Sequence, residues 1–200
     1  MRRLSIYSRC LAQLDEDGVK TISSQELAER FHLNSAQVRK DLAYFGEFGI
    51  RGIGYYVASL RAELSRLLGL DREWRVALVG FGNLGSALFH YRGFARQGFR
   101  IAAIVDDDPA KAGRPVDGLE ILPLAELPRV VKQQGIQIGV IAVPGESAQA
   151  VADRLVAAGV RAVLNFAPAR LKVPKDVRLQ NVDLSIELEN LSFHLAQTSR

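Results

Sequence analysis

The chain has little cysteine and histidine, and it has no long apolar run. The single cysteine, Cys10, excludes an intrachain disulfide. The three histidines, His32, His90 and His194, lie far apart and form no Cys/His pattern typical of a metal site, so we expect no metal. No stretch of about 18 apolar residues is present, so we expect no membrane span. The basic residues 1–3 precede no apolar signal core, and we expect a cytoplasmic protein.

The chain also lacks a strong excess of charge of one sign. It has 26 Lys and Arg against 22 Asp and Glu, for a formal net charge of +4. This balance does not by itself indicate a nucleic-acid-binding protein, so any such inference depends on where the charges lie. With 200 residues, 48% of them hydrophobic, the chain can bury a sizeable core in one large domain or two small ones.

The sequence pattern changes within residues 64–74. Before this stretch, short helical patterns lead into a glycine- and aromatic-rich loop; after it, apolar runs alternate with helical patterns, which predicts βαβ units and a doubly wound parallel sheet. We divide the chain into residues 1–74, 75–180 and 181–200. The expected strands are 75–80, 99–105, 136–143, 162–166 and 177–181, and the expected helices between them are 84–97, a turn near 124–132, and 147–158.

A glycine-rich motif directly follows the first of these strands and begins a helix. It consists of Gly80, Phe81, Gly82, Asn83, Leu84 and Gly85. In a dinucleotide-binding fold the first glycine permits a tight turn, the second lets a pyrophosphate approach the backbone, and the third lets helix and strand pack closely. The helix N-terminus would then offer unpaired N–H groups to the phosphates. A glycine turn without a ligand is the plain alternative.

An acidic residue ends the second strand at the spacing that this motif requires. Asp106 lies about 20 residues beyond Gly85, where a carboxylate accepts hydrogen bonds from an adenosine ribose. Together with Asp107 and Asp108, it would repel a 2′-phosphate, which favours NAD(H) over NADP(H). One alternative is that the acids of 106–108 cap a turn, and another is that the ligand is a flavin or S-adenosylmethionine, which presents the same adenosine. We also assign to this site Val143, Pro144, Asn165, Phe166 and Pro168.

The first 45 residues predict a helix-turn-helix. Leu4, Tyr7, Leu11 and Leu14 have helical spacing, and Ser23 with Glu26 forms a capping box at the start of a second helix. After a turn at 32–34, Asn34 or Ser35 caps a third helix over 36–45. Several polar side chains fall outside its apolar face, as in a helix that enters the major groove. The residues assigned to DNA from this helix are Ser35, Gln37, Arg39, Lys40 and Tyr44.

The segment 46–57 contains four glycines, apolar residues between them and a central arginine. This pattern predicts a β-hairpin wing with Arg51 at its tip, where an arginine suits a narrow minor groove. We assign Arg51 and Tyr55 to DNA contacts. The alternative is a small three-helix domain whose charges are simply solvated.

The final helix, predicted over 181–197, is apolar on two opposite faces. Leu184, Leu188, Leu191 and Leu195 form one stripe, and Ile186 and Phe193 lie nearly opposite. Such a helix must be buried on both sides. We therefore expect it to lie between the subunits or domains of a dimer, which a helix-turn-helix protein needs for a palindromic site. Burial within one chain is the alternative.

No catalytic residue is apparent. None of the three histidines pairs with a carboxylate at a strand end, and Cys10 belongs to the other half of the chain. About 30 residues follow the fourth strand, too few for a substrate domain. The alternative to a DNA-binding protein is a small NAD-dependent oxidoreductase with an accessory N-terminal domain.

Several motifs together resemble the Rex family of redox-sensing transcriptional repressors over nearly the whole chain. They are Ile22–Ala28, Ala36–Leu42 with Tyr44–Gly46, Arg51-Gly52-x-Gly54-Tyr55, Gly80–Gly85, Asn165–Pro168 and Asn181–Leu184. The resemblance implies a homodimer with a domain-swapped C-terminal helix. It also implies binding to palindromic operator DNA when NAD⁺ prevails and release when NADH binds, with both nucleotides as effectors and no catalysis.

The resemblance also implies a set of switch residues whose contacts differ between the two states. By position they are Arg9, Tyr91 and Asp183. Where some family members have phenylalanine after this aspartate, the chain has Leu184. Phe166 and Pro168 therefore remain as the residues that we expect at the nicotinamide end of the site.

Overall fold

The computed structural model describes residues 2–198, which fall into two compact units, Met1–Arg72 and Glu73–Arg200. The first unit contains the helices α1 (Arg2–Glu16), α2 (Ser24–Phe31), α3 (Ser35–Phe45) and α4 (Val57–Leu67), with the short strands β1 (Thr21–Ile22) and β2 (Tyr55–Tyr56). The four α1 residues predicted to face inward, Leu4, Tyr7, Leu11 and Leu14, are all buried, together with residues of the other three helices.

The predicted capping box and turn are confirmed. The Ser23 hydroxyl accepts a hydrogen bond from the Glu26 N–H, and the Glu26 carboxylate accepts one from the Ser23 N–H. His32 adopts a left-handed conformation (φ 52°) that ends α2. Asn34, rather than Ser35, caps α3, because its side-chain oxygen accepts from the Gln37 N–H at 2.9 Å. The helix-turn-helix is therefore defined by local hydrogen bonds that the sequence predicts.

The predicted hairpin wing is shorter than expected. Ile50 and Gly54 exchange backbone hydrogen bonds around a tight turn, but β2 then pairs with β1 instead of with a second wing strand. Gly54 has φ +94°, and a Cβ there would lie 2.6 Å from the Ile22 carbonyl oxygen. The wing is thus reduced to a turn that is held against β1 by a close backbone contact.

The second unit is built on a seven-stranded sheet. Its strands are β3 (Trp74–Val79), β4 (Phe99–Asp106), β5 (Pro115–Val116), β6 (Leu119–Pro123), β7 (Ile138–Ile141), β8 (Ala162–Asn165) and β9 (Arg178–Asn181). The order is β5-β6-β4-β3-β7-β8-β9, with every pair parallel except the β5–β6 pair. Without the antiparallel edge strand β5, this is the 3-2-1-4-5-6 order of a dinucleotide-binding fold.

Helices cover both faces of the sheet, as predicted. The helices of this unit are α5 (Asn83–Phe89), α6 (Gly93–Arg96), α7 (Leu127–Gln134, preceded by a 3₁₀ turn at Leu124–Glu126), α8 (Gly145–Ala157) and α9 (Leu184–Thr198). Ala77 and Val79 of β3 point into a core formed with α7 and α8. Val76 and Leu78 point to the other face, where Leu88 and Phe89 of α5 cover them. The alternation along β3 thus separates the two layers.

Two expectations for this unit are wrong in detail. The helix expected over 84–97 is interrupted at 90–92, and the Tyr91 ring lies where a side chain at Gly93 would stand, 2.4 Å from its Cβ position. The edge strands β5 and β6 were not predicted. They are joined by a tight turn at Asp117 and Gly118, both at positive φ, which separates two short stretches that are only partly apolar.

Helix α9 projects its apolar residues into solvent. Its side chain at Asp183 caps the first turn by accepting from the Ser185 N–H at 2.9 Å. The helix begins later than predicted because β9 extends to residue 181. The six large apolar side chains of both stripes are between 52% and 69% exposed, so burial within one chain is wrong. Among residues 2–198, no helix has both the length and the apolar character needed to cross a membrane.

Helix α9 yields a prediction about assembly. The double substitution Leu188→Glu/Leu191→Glu should convert a dimer into monomers in sedimentation experiments. Each buried leucine contributes about 1.5–3 kcal/mol, and a carboxylate buried without a partner costs more. The control, Ser185→Glu/Ser192→Glu, adds the same two negative charges on a flank of the helix between the two stripes and should remain dimeric. Dimeric sedimentation of the double variant would contradict this assignment.

Candidate functional site

The glycine-rich motif lies where the strand order of the sheet reverses. The loop after β3 passes between the carboxyl ends of β4 and β7, which flank β3 on its two sides. The Gly80 N–H donates to the Val105 carbonyl at 2.8 Å, and the Ala142 N–H donates to the Val79 carbonyl at 2.8 Å. This crevice is the position at which open parallel sheets bind nucleotides.

The three glycines of the motif have the distinct environments that we expected. Gly80 has φ +95°, and a Cβ there would lie 2.5 Å from the Ala142 oxygen. A Cβ at Gly85 would lie 2.0 Å from the Gly80 oxygen, so helix α5 packs directly on the turn. A Cβ at Gly82 would meet nothing within 4 Å. The open side of the loop therefore lies at Gly82, where a pyrophosphate can reach the backbone.

The other loop residues divide between packing and exposure. Phe81 is partly buried and contacts the Phe89 ring edge-on, with centroids 5.9 Å apart. Asn83 and Leu84, the first residues of α5, are exposed, Leu84 to 40%. The helix N-terminus at Gly82 thus remains accessible, while Phe81 anchors the loop to the sheet.

Asp106 is buried at the end of β4 and already makes three hydrogen bonds. Its Oδ2 accepts from the Phe81 N–H at 2.6 Å and from Lys111 Nζ at 3.0 Å, and its Oδ1 accepts from the Asp108 N–H at 2.9 Å. Burial alone would raise the pKa of Asp106, but these donors hold it below its ordinary value. The carboxylate is therefore ionised, and it fixes the phosphate loop to the end of β4.

Loops after β7 and β8 complete this edge of the sheet. Val143 approaches the phosphate loop, since a Cβ at Gly80 would lie 2.8 Å from its side chain. Pro144 precedes α8, and a Cβ at Gly145 would lie 3.3 Å from the Pro168 oxygen. Phe166 is partly buried and Pro168 is exposed. The structure thus brings Val143 beside the phosphate loop and Pro168 beside the start of α8.

Asn165 does not offer its side chain to a ligand, contrary to our assignment. It is fully buried. Its amide nitrogen donates to the carbonyls of Ala167 and Ala169, each at 3.1 Å, and to Asn181 Oδ1 at 3.0 Å. Its oxygen accepts from the Ala167 N–H at 3.0 Å. Asn165 therefore shapes the loop that carries Phe166 and Pro168 and links it to β9.

The three residues assigned to the switch have different surroundings. Arg9 is exposed in the first unit. Tyr91 is 60% exposed and packs edge-on against Phe94, and Asp183 caps α9. Tyr91 also borders a surface cavity of about 420 Å³, lined mainly by aromatic and basic side chains. Among residues 2–198, no hydrogen bond or ion pair connects Tyr91 to Asp183.

One histidine is closer to a carboxylate than the sequence indicated. His90 Nε2 lies 3.6 Å from Asp117 Oδ2, and both side chains are more than half exposed. Because Asp117 lies in the unpredicted β5–β6 turn, this pair was not foreseen. In residues 2–198, no group of three or more His, Cys, Asp or Glu side chains is arranged to hold a metal ion.

The outer face of α3 carries most of the side chains assigned to DNA. Val38 and Leu42 point inward and are buried, whereas Arg39, Lys40 and Tyr44 are exposed, Tyr44 to 82%. Ser35 and Gln37 at the start of the helix are partly buried. This exposed, basic face of a capped helix has the chemistry that major-groove recognition requires.

The assignment of Tyr55 to DNA is not supported by its position. Its side chain is only 9% exposed and packs in the core of the first unit. Burial raises the pKa of Tyr55, opposed by the charge of Arg39. Its neighbour Tyr56 is 46% exposed, and Arg51 is exposed in the wing turn. Because β2 alternates its side chains, Tyr55 supports the wing from inside.

Sequence reasoning missed two residues, one in each unit. Lys111 pairs with Asp106, and its only sequence signal is its place five residues after that acid. Asp41, on α3, pairs with Arg3 of α1 through two hydrogen bonds of 2.5 and 2.8 Å. Asp41 falls within a helix, and no local pattern relates it to a residue 38 positions earlier.

Two family models match the chain. The model described as "CoA binding domain" matches residues 71–169, and the model described as "Putative DNA-binding protein N-terminus" matches residues 1–43. Their boundaries follow the division between the two units.

Curated relatives match nearly the full length of the chain. The redox-sensing transcriptional repressor Rex of Desulfitobacterium hafniense is 53% identical over 96% of this chain and 92% of its own. The proteins of the same name from Syntrophomonas wolfei and Streptomyces coelicolor are 56% and 52% identical, over 99% and 96% of this chain and 94% and 74% of theirs.

Solved structures of similar proteins also match nearly the whole chain. RSP in complex with β-NAD⁺ and operator DNA has a TM-score of 0.95 and 40% identity, covering 99% of this chain and 91% of that chain. RSP with β-NADH has a TM-score of 0.88 and 38% identity, covering 99% and 93%. RSP is described as a Rex-family repressor. With identities above 50% to several relatives over almost its whole length, the chain belongs to the Rex family of redox-sensing transcriptional repressors.

Proposed function

We propose that this protein is a homodimeric transcriptional repressor that senses the NADH/NAD⁺ ratio. It binds a palindromic operator when NAD⁺ prevails and leaves it on binding NADH. The observation that carries this proposal is the presence, in one chain, of an accessible phosphate loop beside an ionised Asp106 and of a basic, exposed α3. RSP, which shares this fold, forms complexes with β-NAD⁺ and operator DNA and with β-NADH.

The nucleotide site fits an adenosine without a 2′-phosphate. We place the pyrophosphate at Gly82 and the start of α5, and the ribose at Asp106. The exposed Asp107 adds a further negative charge at that end, so a 2′-phosphate would be repelled. Lys111 offsets part of this charge, but it is already held at 3.0 Å from Asp106 and 3.8 Å from Asp108. These features favour NAD(H) as the effector pair.

Redox discrimination is assigned to the nicotinamide end of the site. The phosphate loop and Asp106 bind the portion that NADH and NAD⁺ share, so they contribute equally to both affinities. The oxidised ring carries a positive charge and is planar, and a largely apolar surround formed by Val143, Phe166 and Pro168 disfavours the cation. A ligand shifts the populations of two states only by the difference in its affinity for them. NADH must therefore bind the state that is not bound to DNA more tightly than the DNA-bound state.

The DNA-binding surface is assigned to α3 and the wing turn. Ser35, Gln37, Arg39, Lys40 and Tyr44 approach the major groove, and Arg51 approaches the adjacent minor groove. Residues 1–74 thus form the DNA-binding part, 75–180 the NAD(H)-binding part and 181–200 a swapped helix. Arg9, Tyr91 and Asp183 act as the switch once the second subunit is present. We place the protein in the cytoplasm, where operator DNA and the NAD(H) pool meet.

The first experiment tests the function itself. In a mobility-shift assay, the protein should bind a palindromic operator with NAD⁺ and release it as NADH replaces NAD⁺. Calorimetric titrations should give a tighter affinity for NADH than for NAD⁺. Equal affinities would contradict the proposed discrimination, and NADH consumption without DNA binding would favour an oxidoreductase.

The second experiment tests the DNA-binding surface. Lys40→Ala or Arg39→Ala should weaken operator binding by about tenfold, while NADH affinity stays unchanged. Loss of a phosphate contact should also reduce the slope of log affinity against log salt concentration by about one. The control is Arg66→Ala, which removes a cation paired with Glu63 on α4 and should leave operator binding intact. If NADH affinity falls in parallel with operator affinity, the assignment is wrong.

The third experiment tests Asp106. Asp106→Asn should weaken NADH and NAD⁺ by a similar factor of about 10 to 100, because hydrogen bonds to a charged group contribute about 1.5–3 kcal/mol. Operator binding in the absence of nucleotide should persist. Asp107→Asn, at the exposed neighbour, is the matched control and should bind NADH normally. Unchanged nucleotide affinities in Asp106→Asn would exclude Asp106 from the site.

A further inference from the structure

Gln37 of α3 is held by a carboxylate one helical turn further along. Its amide nitrogen Nε2 donates to Asp41 Oδ1 at 2.7 Å. Gln37 is the third residue of α3, and the N-terminal residues of a recognition helix are the ones that contact base edges. Its side chain is therefore both placed for DNA recognition and constrained before any DNA is bound.

Asp41 is itself fixed from the neighbouring helix. Arg3 donates to both carboxylate oxygens, through Nε at 2.5 Å and Nη2 at 2.8 Å, and the Tyr7 hydroxyl donates to Oδ2 at 2.9 Å. The Asp41 side chain is only 13% exposed. The hydrogen bonds from Arg3 lower the pKa of Asp41 well below its usual range despite its burial, so it is ionised at any working pH.

An ionised carboxylate only accepts hydrogen bonds, and this determines the orientation of the Gln37 amide. The NH₂ end must face Asp41, because the amide oxygen there would be repelled. One of the two N–H groups is used by Asp41. What remains for DNA is one acceptor, Oε1, and one N–H donor.

This remaining pair matches one purine and not the other. Adenine presents the N6 amino donor beside the N7 acceptor in the major groove, whereas guanine presents two acceptors, O6 and N7. A free glutamine can turn its NH₂ group toward guanine and donate from both N–H groups. Gln37 cannot do so while Asp41 uses one of them.

We propose that Asp41 is a positioning residue that presets Gln37 to read adenine and to reject guanine at one position of each operator half-site. The proposal rests on the proposed function, since it requires α3 to lie in the major groove. Arg3 and Tyr7 already connect α3 to α1 through Asp41, so the hydrogen bond between Gln37 and Asp41 is not needed for that connection. The effect of this hydrogen bond is on base selection.

The test measures operator affinity for a panel in which each base pair is replaced in turn. For the wild-type chain, replacing one A·T pair by G·C should weaken binding by about 5- to 150-fold. In Asp41→Asn this penalty should fall to within about threefold, with the other positions unchanged. Gln37→Ala should lose the same penalty, and Gln37→Ala/Asp41→Asn should lose no more than either single variant.

Tyr7→Phe is the matched control, because it removes one donor to Asp41 without touching Gln37. It should keep the wild-type base preference. Loss of the preference in Tyr7→Phe, or uniform weakening at all positions in Asp41→Asn, would reduce Asp41 to a structural tie and overturn the proposal. An Asp41→Asn profile equal to that of the wild type would also overturn it. Failure of the wild-type chain to bind any operator would instead overturn the proposed function.

If Asp41→Asn does not fold, the wild-type chain still tests the hydrogen bond between Gln37 and Asp41 on which the proposal depends. In nuclear magnetic resonance spectra of the full chain, the side-chain amide signals of Gln37 are identified by their absence in Gln37→Ala. One of its two protons should exchange with water more slowly than those of Gln13, which is exposed on α1. Equal exchange at the two glutamines would overturn the proposal.

Discussion

The buried carboxylate of Asp106 is the interaction on which the nucleotide-binding unit depends. It joins the end of β4 to the loop after β3 through the Phe81 N–H, and its burial is tolerated because three donors surround it. The same loop can approach β7 and α5 only because Gly80 and Gly85 have no side chains. Asp106 therefore shapes the phosphate loop, and in the proposed function it also provides the negative charge that selects the ribose. Under that proposal, a change at this position acts on both the loop and the ligand.

The first unit has a corresponding constraint at Asp41. Helix α1 supplies Arg3 and Tyr7 to hold a carboxylate of α3, and burial together with this carboxylate raises the pKa of Tyr7 to about 12. The exposed Arg9 lies on that same helix α1. A displacement of α1 would therefore be felt directly by α3. This gives the predicted switch residue a physical connection to the DNA-binding face within the unit.

The sequence predicted features that local chemistry determines and missed those that arise from distant contacts. The capping box at Ser23, the inward face of α1 and the glycine loop each follow from spacing alone, and they are confirmed. The assignment of Asn165 to the ligand depends on a local motif. That motif does not show that the side chain bonds to Asn181 of another strand. The assignment of Tyr55 to DNA failed because the pairing of β2 with β1 turns this side chain inward, and a glycine pattern does not predict that pairing.

Helix α9 explains why a single chain is not sufficient for the switch. Its apolar stripes remain exposed, and Asp183, which precedes the helix and caps its first turn, is not linked to Tyr91 within the described residues. Burying these stripes against a second copy would place each Asp183 in a neighbour's environment rather than its own. In the proposed function, elements of one chain bind the shared part of the nucleotide, whereas redox discrimination requires contacts that differ between two states. A dimer supplies such contacts, because its subunits can change their packing without unfolding either sheet.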